Sequence, residues 1–199
     1  IPYKNTPRSY NRKLNYEPVT VTKKLDTWQN HCILGNVAYS AKDDRRIGLI
    51  LLNNVLGGLG LNCRLNLSLR EKNGLAYNIE SGYHPYKDTG VFSIYFGTDK
   101  ENLDKSIQIT LKELNILRNN ALGTLQLSKA KNQIKGYIAR AYESHESLML
   151  SMGKSILVFD RIDTPEENCK EVDELTSKQL IEIANEIFDI SRLSTLIYS

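Results

Sequence analysis

Several things are scarce in this chain, and each scarcity removes a class of function. Only three cysteines occur, Cys32, Cys63 and Cys169, odd in number, widely spaced and in no CxxC pair. That pattern predicts reduced structural thiols rather than a disulfide framework or a metal knuckle. No apolar run approaches the roughly 20 residues that cross a bilayer. The front carries no initiator methionine, basic n-region or apolar h-region, so a chain opening on Ile1-Pro2 is expected to be a fragment, with any targeting signal in the missing part. The three histidines, His31, His84 and His145, have no metal-ligand spacing. Glu143, His145 and Glu146, expected on one helix, form no H-x-x-E-H or its inverse, so no metal is expected to bind here. Nucleophile chemistry lacks its motif too: there is no G-x-S-x-G, and Cys63 has no histidine nearby.

What is present suits one ordinary domain. At 199 residues the chain can bury roughly 70% of its unfolded surface around a single core. Its 41% hydrophobic and 25% charged content is that of a folded protein. The formal charge of +3 resides entirely in residues 1–17, where Lys4, Arg8, Arg12 and Lys13 face only Glu17. The remaining 22 basic and 22 acidic residues cancel. No aromatic-interleaved basic stripe appears, which speaks against nucleic acid.

Residues 1–17, with Pro2, Pro7 and no apolar period, read as a linker or N-terminal arm, and 18–199 as the domain. Strands are expected from Pro18 through Val21 and over Trp28–Tyr39. A helix is expected over Asp43–Leu56, with acids in its first turn and Ile47, Leu51 and Val55 on one face. Gly57, Gly58 and Gly60 should end it in a turn needing positive φ. A shorter helix follows over Leu61–Lys72, stopped by Asn73-Gly74 as a left-handed cap. Tyr77, Ile79, Ser81 and Tyr83 alternate with Asn78, Glu80, Gly82 and His84, so this strand should have one face packed and one wet. The run Val91–Gly97, apolar on both faces, predicts a central strand after the Asp88-Thr89-Gly90 hairpin. Capping boxes at Thr98/Glu101, Thr164/Glu167 and Thr176/Gln179 mark three helices. Apolar spacing from Leu127 to Ala141 marks another, Ser147–Phe159 a further one, and Arg192–Tyr198 a last strand. Hairpins plus long helices without repeated βαβ units define an α+β domain: a largely antiparallel sheet with helices on one face.

Chemistry concentrates in one stretch. Gly58-Leu59-Gly60 fails as a dinucleotide fingerprint because Cys63 stands where the third glycine belongs and a helix precedes it. No Gly-Lys-Ser/Thr makes it a phosphate loop. Arg70 in a last helical turn and Tyr77 at a strand start each have ordinary structural roles, as a dipole partner and an amphipathic filler. Taken together, seven positions apart across the Asn73-Gly74 reversal, they can converge on one exposed point. A permanently charged donor beside a phenolic one suits a peptide carbonyl or the oxyanion formed from it.

These residues resemble the C-terminal half of the insulinase/pitrilysin-type zinc metallopeptidases, which include the mitochondrial processing peptidases. The blocks that carry the resemblance are Leu56-Gly57-Gly58…Arg64-Leu65, Leu69–Tyr77 and Asp88-Thr89-Gly90…Tyr95-Phe96-Gly97-Thr98, with Lys129–Gly136 and Glu143…Gly153 in support. The resemblance implies a two-half, clamshell protease. Zinc would sit in the N-terminal half or in a partner subunit, and this chain would be inactive alone. By position it puts Arg70 and Tyr77 against an extended peptide substrate, Tyr77 as oxyanion donor. Gly57, Gly58 and Gly60 fall where processing-peptidase relatives have a longer substrate-gripping glycine loop. Two other readings stay open: a non-catalytic structural homologue or inactive partner subunit, and a module that grips extended chains by β-addition. The unpaired cysteines suggest a cytoplasmic home.

Overall fold

The computed structural model describes residues 15–24 and 27–199, so most of the expected arm over residues 1–17 lies outside the described residues. Its last part is held: the Tyr16 hydroxyl bonds the carbonyl of Arg192 at 2.8 Å and the hydroxyl of Ser194 at 2.9 Å.

Five strands form one mixed sheet. They are β1 (Thr20–Lys23), β2 (Asn30–Ala38), β3 (Ala76–Pro85), β4 (Gly90–Thr98) and β5 (Ser194–Tyr198), in the order β1-β5-β2-β4-β3. Only the β1–β5 pair is parallel. The last strand is therefore inserted between the first two, which do not pair with each other. β2 starts two residues later than expected, and Trp28 stands in solvent.

Alternation along β2 and β4 puts Cys32, Leu34, Phe92, Ile94 and Phe96 on a packed face, while Ile33 and Val91 point to the open one. β4 is an interior strand, but its apolar residues do not mean burial on both sides: helices cover one face only. The core closes where Phe92 meets Phe188, ring centres 4.8 Å apart.

The helices are α1 (Arg46–Gly57), α2 (Leu103–Asn119), α3 (Thr124–Glu143), α4 (His145–Phe159), α5 (Pro165–Glu174) and α6 (Ser177–Ile187). α1 lies against β3 and beneath α3, α5 and α6. It is thus buried well beyond the single Ile47/Leu51/Val55 face, with Leu49, Leu52 and Leu56 also enclosed, as a helix apolar on several sides must be.

The expected caps divide two to one. Thr164 with Glu167 and Thr176 with Gln179 form reciprocal capping boxes. Thr98 does not cap: it is buried at the end of β4, and its hydroxyl donates to the Leu75 carbonyl at 2.6 Å. A strand-end threonine with a buried carbonyl in reach satisfies that acceptor first.

α1 also begins three residues later than its acidic run suggests. Asp43 organises the preceding turn, accepting from the Arg45 backbone N–H at 2.9 Å and pairing with the Arg45 guanidinium at 2.7 Å. Arg45 in turn lies over the Tyr39 ring, 4.1 Å from its centre, and reaches Glu186 of α6 at 2.7 Å. The Arg45 hydrogen bonds hold the Asp43 carboxyl below its ordinary pKa. A depressed carboxylate contributes stability that is whole above its unfolded pKa and fades as pH falls through the folded value. Asp43→Asn is therefore expected to cost about 1 kcal/mol at pH 7 in urea unfolding, and the gap from wild type should close as the pH drops below about 4. A gap unchanged by acid would remove the ion pair from this account.

Candidate functional site

The site is built where α1 ends against the edge strand β3. At this contact the Asn53 side chain donates to the Ser81 carbonyl at 3.2 Å, and the Ser81 hydroxyl donates to the Asn53 carbonyl at 3.1 Å. Helix and strand are consequently so close that a Cβ on Gly57 would lie 2.7 Å from Ser81 Oγ and 2.9 Å from its backbone nitrogen. The glycine cluster was expected to supply positive φ. It does not. Gly58 has φ −67°, and the positive-φ glycine of the described residues is Gly74. Gly57 is required by close approach, and Gly60 is crowded similarly by the side chains of Asn62 and Gln133.

The chain then passes through Leu59 and Leu61, 93% and 72% exposed, and re-enters the fold at Cys63, whose burial raises its thiol pKa. The short helix that follows is wound as a π-helix over Asn66–Glu71, with Lys72 N–H bonding the Leu67 carbonyl at 3.0 Å. Such wide turns are uncommon and recur at functional sites. Two tethers hold it: Arg64 pairs with Glu113 of α2 at 2.8 Å, and Asn66 bonds the Leu61 carbonyl at 2.5 Å.

Gly74, at φ 60°, ends this helix as expected. Leu75 N–H returns to the Leu69 carbonyl at 2.8 Å and Gly74 N–H to that of Arg70 at 2.9 Å, a left-handed cap that fixes the backbone of Arg70 itself.

β3 opens with a bulge. Ala76 faces Thr98, yet Ile79 faces Phe96, so three steps on β3 match two on β4. The extra residue breaks the expected alternation. Ala76, not Tyr77, joins Ile79, Ser81 and Tyr83 on the packed side, and Tyr77 is turned out, 71% exposed. Among the described residues its hydroxyl has no hydrogen-bond partner. Arg70 is half exposed, with only a loose 3.8 Å contact to Glu71.

These displacements meet in a cleft of about 450 Å³ that all five anticipated residues line: Gly57, Gly58, Gly60, Arg70 and Tyr77. Arg70 and Glu80 are the charged groups at its wall. Sequence reasoning missed Asn53, Asn54 and Ser81, which line it too. Asparagines inside a helix and a serine inside a strand carry no motif. The nearest signal was the juxtaposition of two polar residues with glycines at an otherwise apolar helix end.

The residues present do not fit a zinc site. Among the described residues no group of three or more His, Cys, Asp or Glu side chains is placed to hold a metal ion. His31 is engaged with the Tyr95 hydroxyl at 2.8 Å. No helix of the described residues is long and apolar enough to cross a membrane.

The fold is a five-stranded sheet backed by helices, with an exposed Arg–Tyr pair lining a cleft at its edge. The model of the peptidase M16 inactive domain matches residues 2–134, and the chain belongs to that family, as its C-terminal, inactive half. An uncharacterized zinc protease of Bacillus subtilis, YmxG, is 31% identical over 176 residues, covering 88% of this chain and 43% of that protein. The peptidase M16 inactive domain from Pseudomonas fluorescens superposes with a TM-score of 0.81 at 20% identity, over 92% of this chain and 43% of that one. A chain of complex III2 from Candida albicans does so at 0.79 and 14% identity, over 92% and 46%. The chain thus spans less than half the length of the curated relatives it matches.

Gly57→Ala should lower stability by about 1–3 kcal/mol, because the backbone of Ser81 cannot yield as a side chain would. Gly74→Ala, which meets no neighbour, should cost only the left-handed strain, about 1–2 kcal/mol. Urea unfolding of both variants checks this, and an unaffected Gly57→Ala would refute the close approach.

Proposed function

We propose that this chain is the substrate-binding C-terminal domain of a zinc-dependent endopeptidase, holding an extended peptide against a zinc site carried by a separate N-terminal half or partner subunit. The observation that carries this is the convergence of Arg70, Tyr77 and the glycine loop on one cleft at the edge of the sheet.

Each part has a chemical use. β3 is an edge strand, so one row of its backbone groups has no strand neighbour and can pair with an extended chain. Arg70 supplies a charged, forked donor for a peptide carbonyl. Tyr77, swung out by the bulge and free of internal partners, supplies a neutral donor that can follow the carbonyl oxygen as negative charge develops on it. Zinc, when bound in the other half, supplies Lewis-acid chemistry that this chain's side chains cannot. The isolated chain is accordingly inactive, and its role is to bind and orient.

A second reading, a non-catalytic structural homologue or inactive partner subunit, draws support from the fold shared with the Candida albicans complex III2 chain. The exposed Arg70–Tyr77 pair favours the first, because a scaffold has no use for unpartnered donors at an open edge. Kinetics on the intact protein separate the two. Tyr77→Phe should reduce kcat by about ten- to a thousandfold with the fold unchanged. A kcat equal to wild type would reduce Tyr77 to a surface residue, and no peptide hydrolysis by the intact protein would favour the structural homologue.

A further inference from the structure

Leu59 and Leu61 are the most exposed aliphatic side chains near the cleft, held out on a loop between Gly58, Gly60 and the buried Cys63. Among the described residues nothing covers them. Ile50, Ile79, Ile134 and Tyr137 line the same cleft, so the two leucines add to its apolar surface. Behind this wall, Asn54 is only 8% exposed, and its Nδ2 has no partner. Neighbouring Asn53 donates to Ser81, which leaves its own Oδ1 buried and unpaired. One donor and one acceptor left unsatisfied on consecutive residues are costly, and they sit beside the glycine loop that borders the cleft.

We propose that the cleft between the Leu59–Leu61 loop, α1, α3 and β3 is a specificity pocket, taking one large apolar side chain of the bound peptide beside the carbonyl held by Arg70 and Tyr77. This rests on the reading of the cleft as a peptide site and adds to it which residues select the sequence. Away from Arg70, the apolar wall and Glu80 disfavour an acidic side chain, whose burial there would go uncompensated. Leucine, phenylalanine and methionine fit because closing the leucines over them removes apolar surface from water on both sides.

The test uses the intact protein and a positional-scanning library of internally quenched peptides, in which each position in turn is leucine, phenylalanine, alanine or aspartate. The wild type should prefer leucine or phenylalanine over alanine by about tenfold or more in kcat/KM at one position. Leu59→Ser/Leu61→Ser, both on exposed sites, should cut that preference to about twofold at that position alone. Tyr77→Phe should instead slow all peptides alike. Should the double variant keep the wild-type preference while Tyr77→Phe still lowers kcat, the pocket is wrong and the donor reading stands. Loss of the preference with no effect of Tyr77→Phe would leave the pocket and remove the donor role. If the double variant only loosens the association of the two halves, with preference unchanged, the leucines cover the other half and the proposal fails. Absence of both hydrolysis and binding of the library, the latter by fluorescence anisotropy on chelator-treated protein, would overturn both.

Discussion

Everything about the site follows from how closely α1 approaches β3. The Asn53–Ser81 pair of hydrogen bonds draws the helix end onto the strand, and Gly57 is the residue that lets it come so near. With a side chain there, the helix would ride outward, and the floor of the cleft would lift with it. Because α1 is wedged beneath α3, α5 and α6, that displacement would not stay local. The contact therefore couples the packing of the core to the geometry of an exposed edge.

On this foundation three local irregularities aim two side chains. The π-turns over Asn66–Glu71 set the azimuth of Arg70, the left-handed Gly74 reverses the chain, and the bulge after Ala76 rotates Tyr77 out of the packed row. Each departs from regular structure, and each lies within about ten residues of the next along the chain. Thr98 fixes the start of β3 by bonding the Leu75 carbonyl, so the bulge occurs where it does rather than sliding along the strand. The result is an arginine and a tyrosine whose backbones are fixed by these irregularities and whose side chains face the cleft, the arrangement the proposed peptide-holding role requires.

Much of this was legible in the sequence. The Asn73-Gly74 stop, the two capping boxes at Thr164 and Thr176 and the one-sided α+β layering follow from local chemistry that tertiary contacts did not overrule. The five cleft residues could be named because they cluster along the chain. Other features escaped for physical reasons. Gly57 serves distance rather than dihedral angle, and the partner that makes distance matter, Ser81, lies more than twenty residues away. The bulge depends on pairing with β4, so the break in the alternation between Tyr77 and Ile79 could not be read from this strand alone. Thr98 shows the same pattern in reverse: a capping signature was present, but a buried carbonyl claimed the hydroxyl. The Asn53–Asn54 pair carries no sequence signal, since its meaning comes from what it leaves unpaired.

The claim at the centre is that Arg70 and Tyr77 together hold one peptide carbonyl at the edge of β3. A crystal structure of the intact protein, depleted of zinc and soaked with an uncleaved peptide, measures this directly. The account predicts the peptide extended along β3, with one carbonyl oxygen about 2.7–3.1 Å from the Tyr77 hydroxyl and the Arg70 guanidinium on the same or the adjoining carbonyl. A peptide bound elsewhere, or a Tyr77 hydroxyl sealed against the other half with no substrate atom in reach, would contradict it.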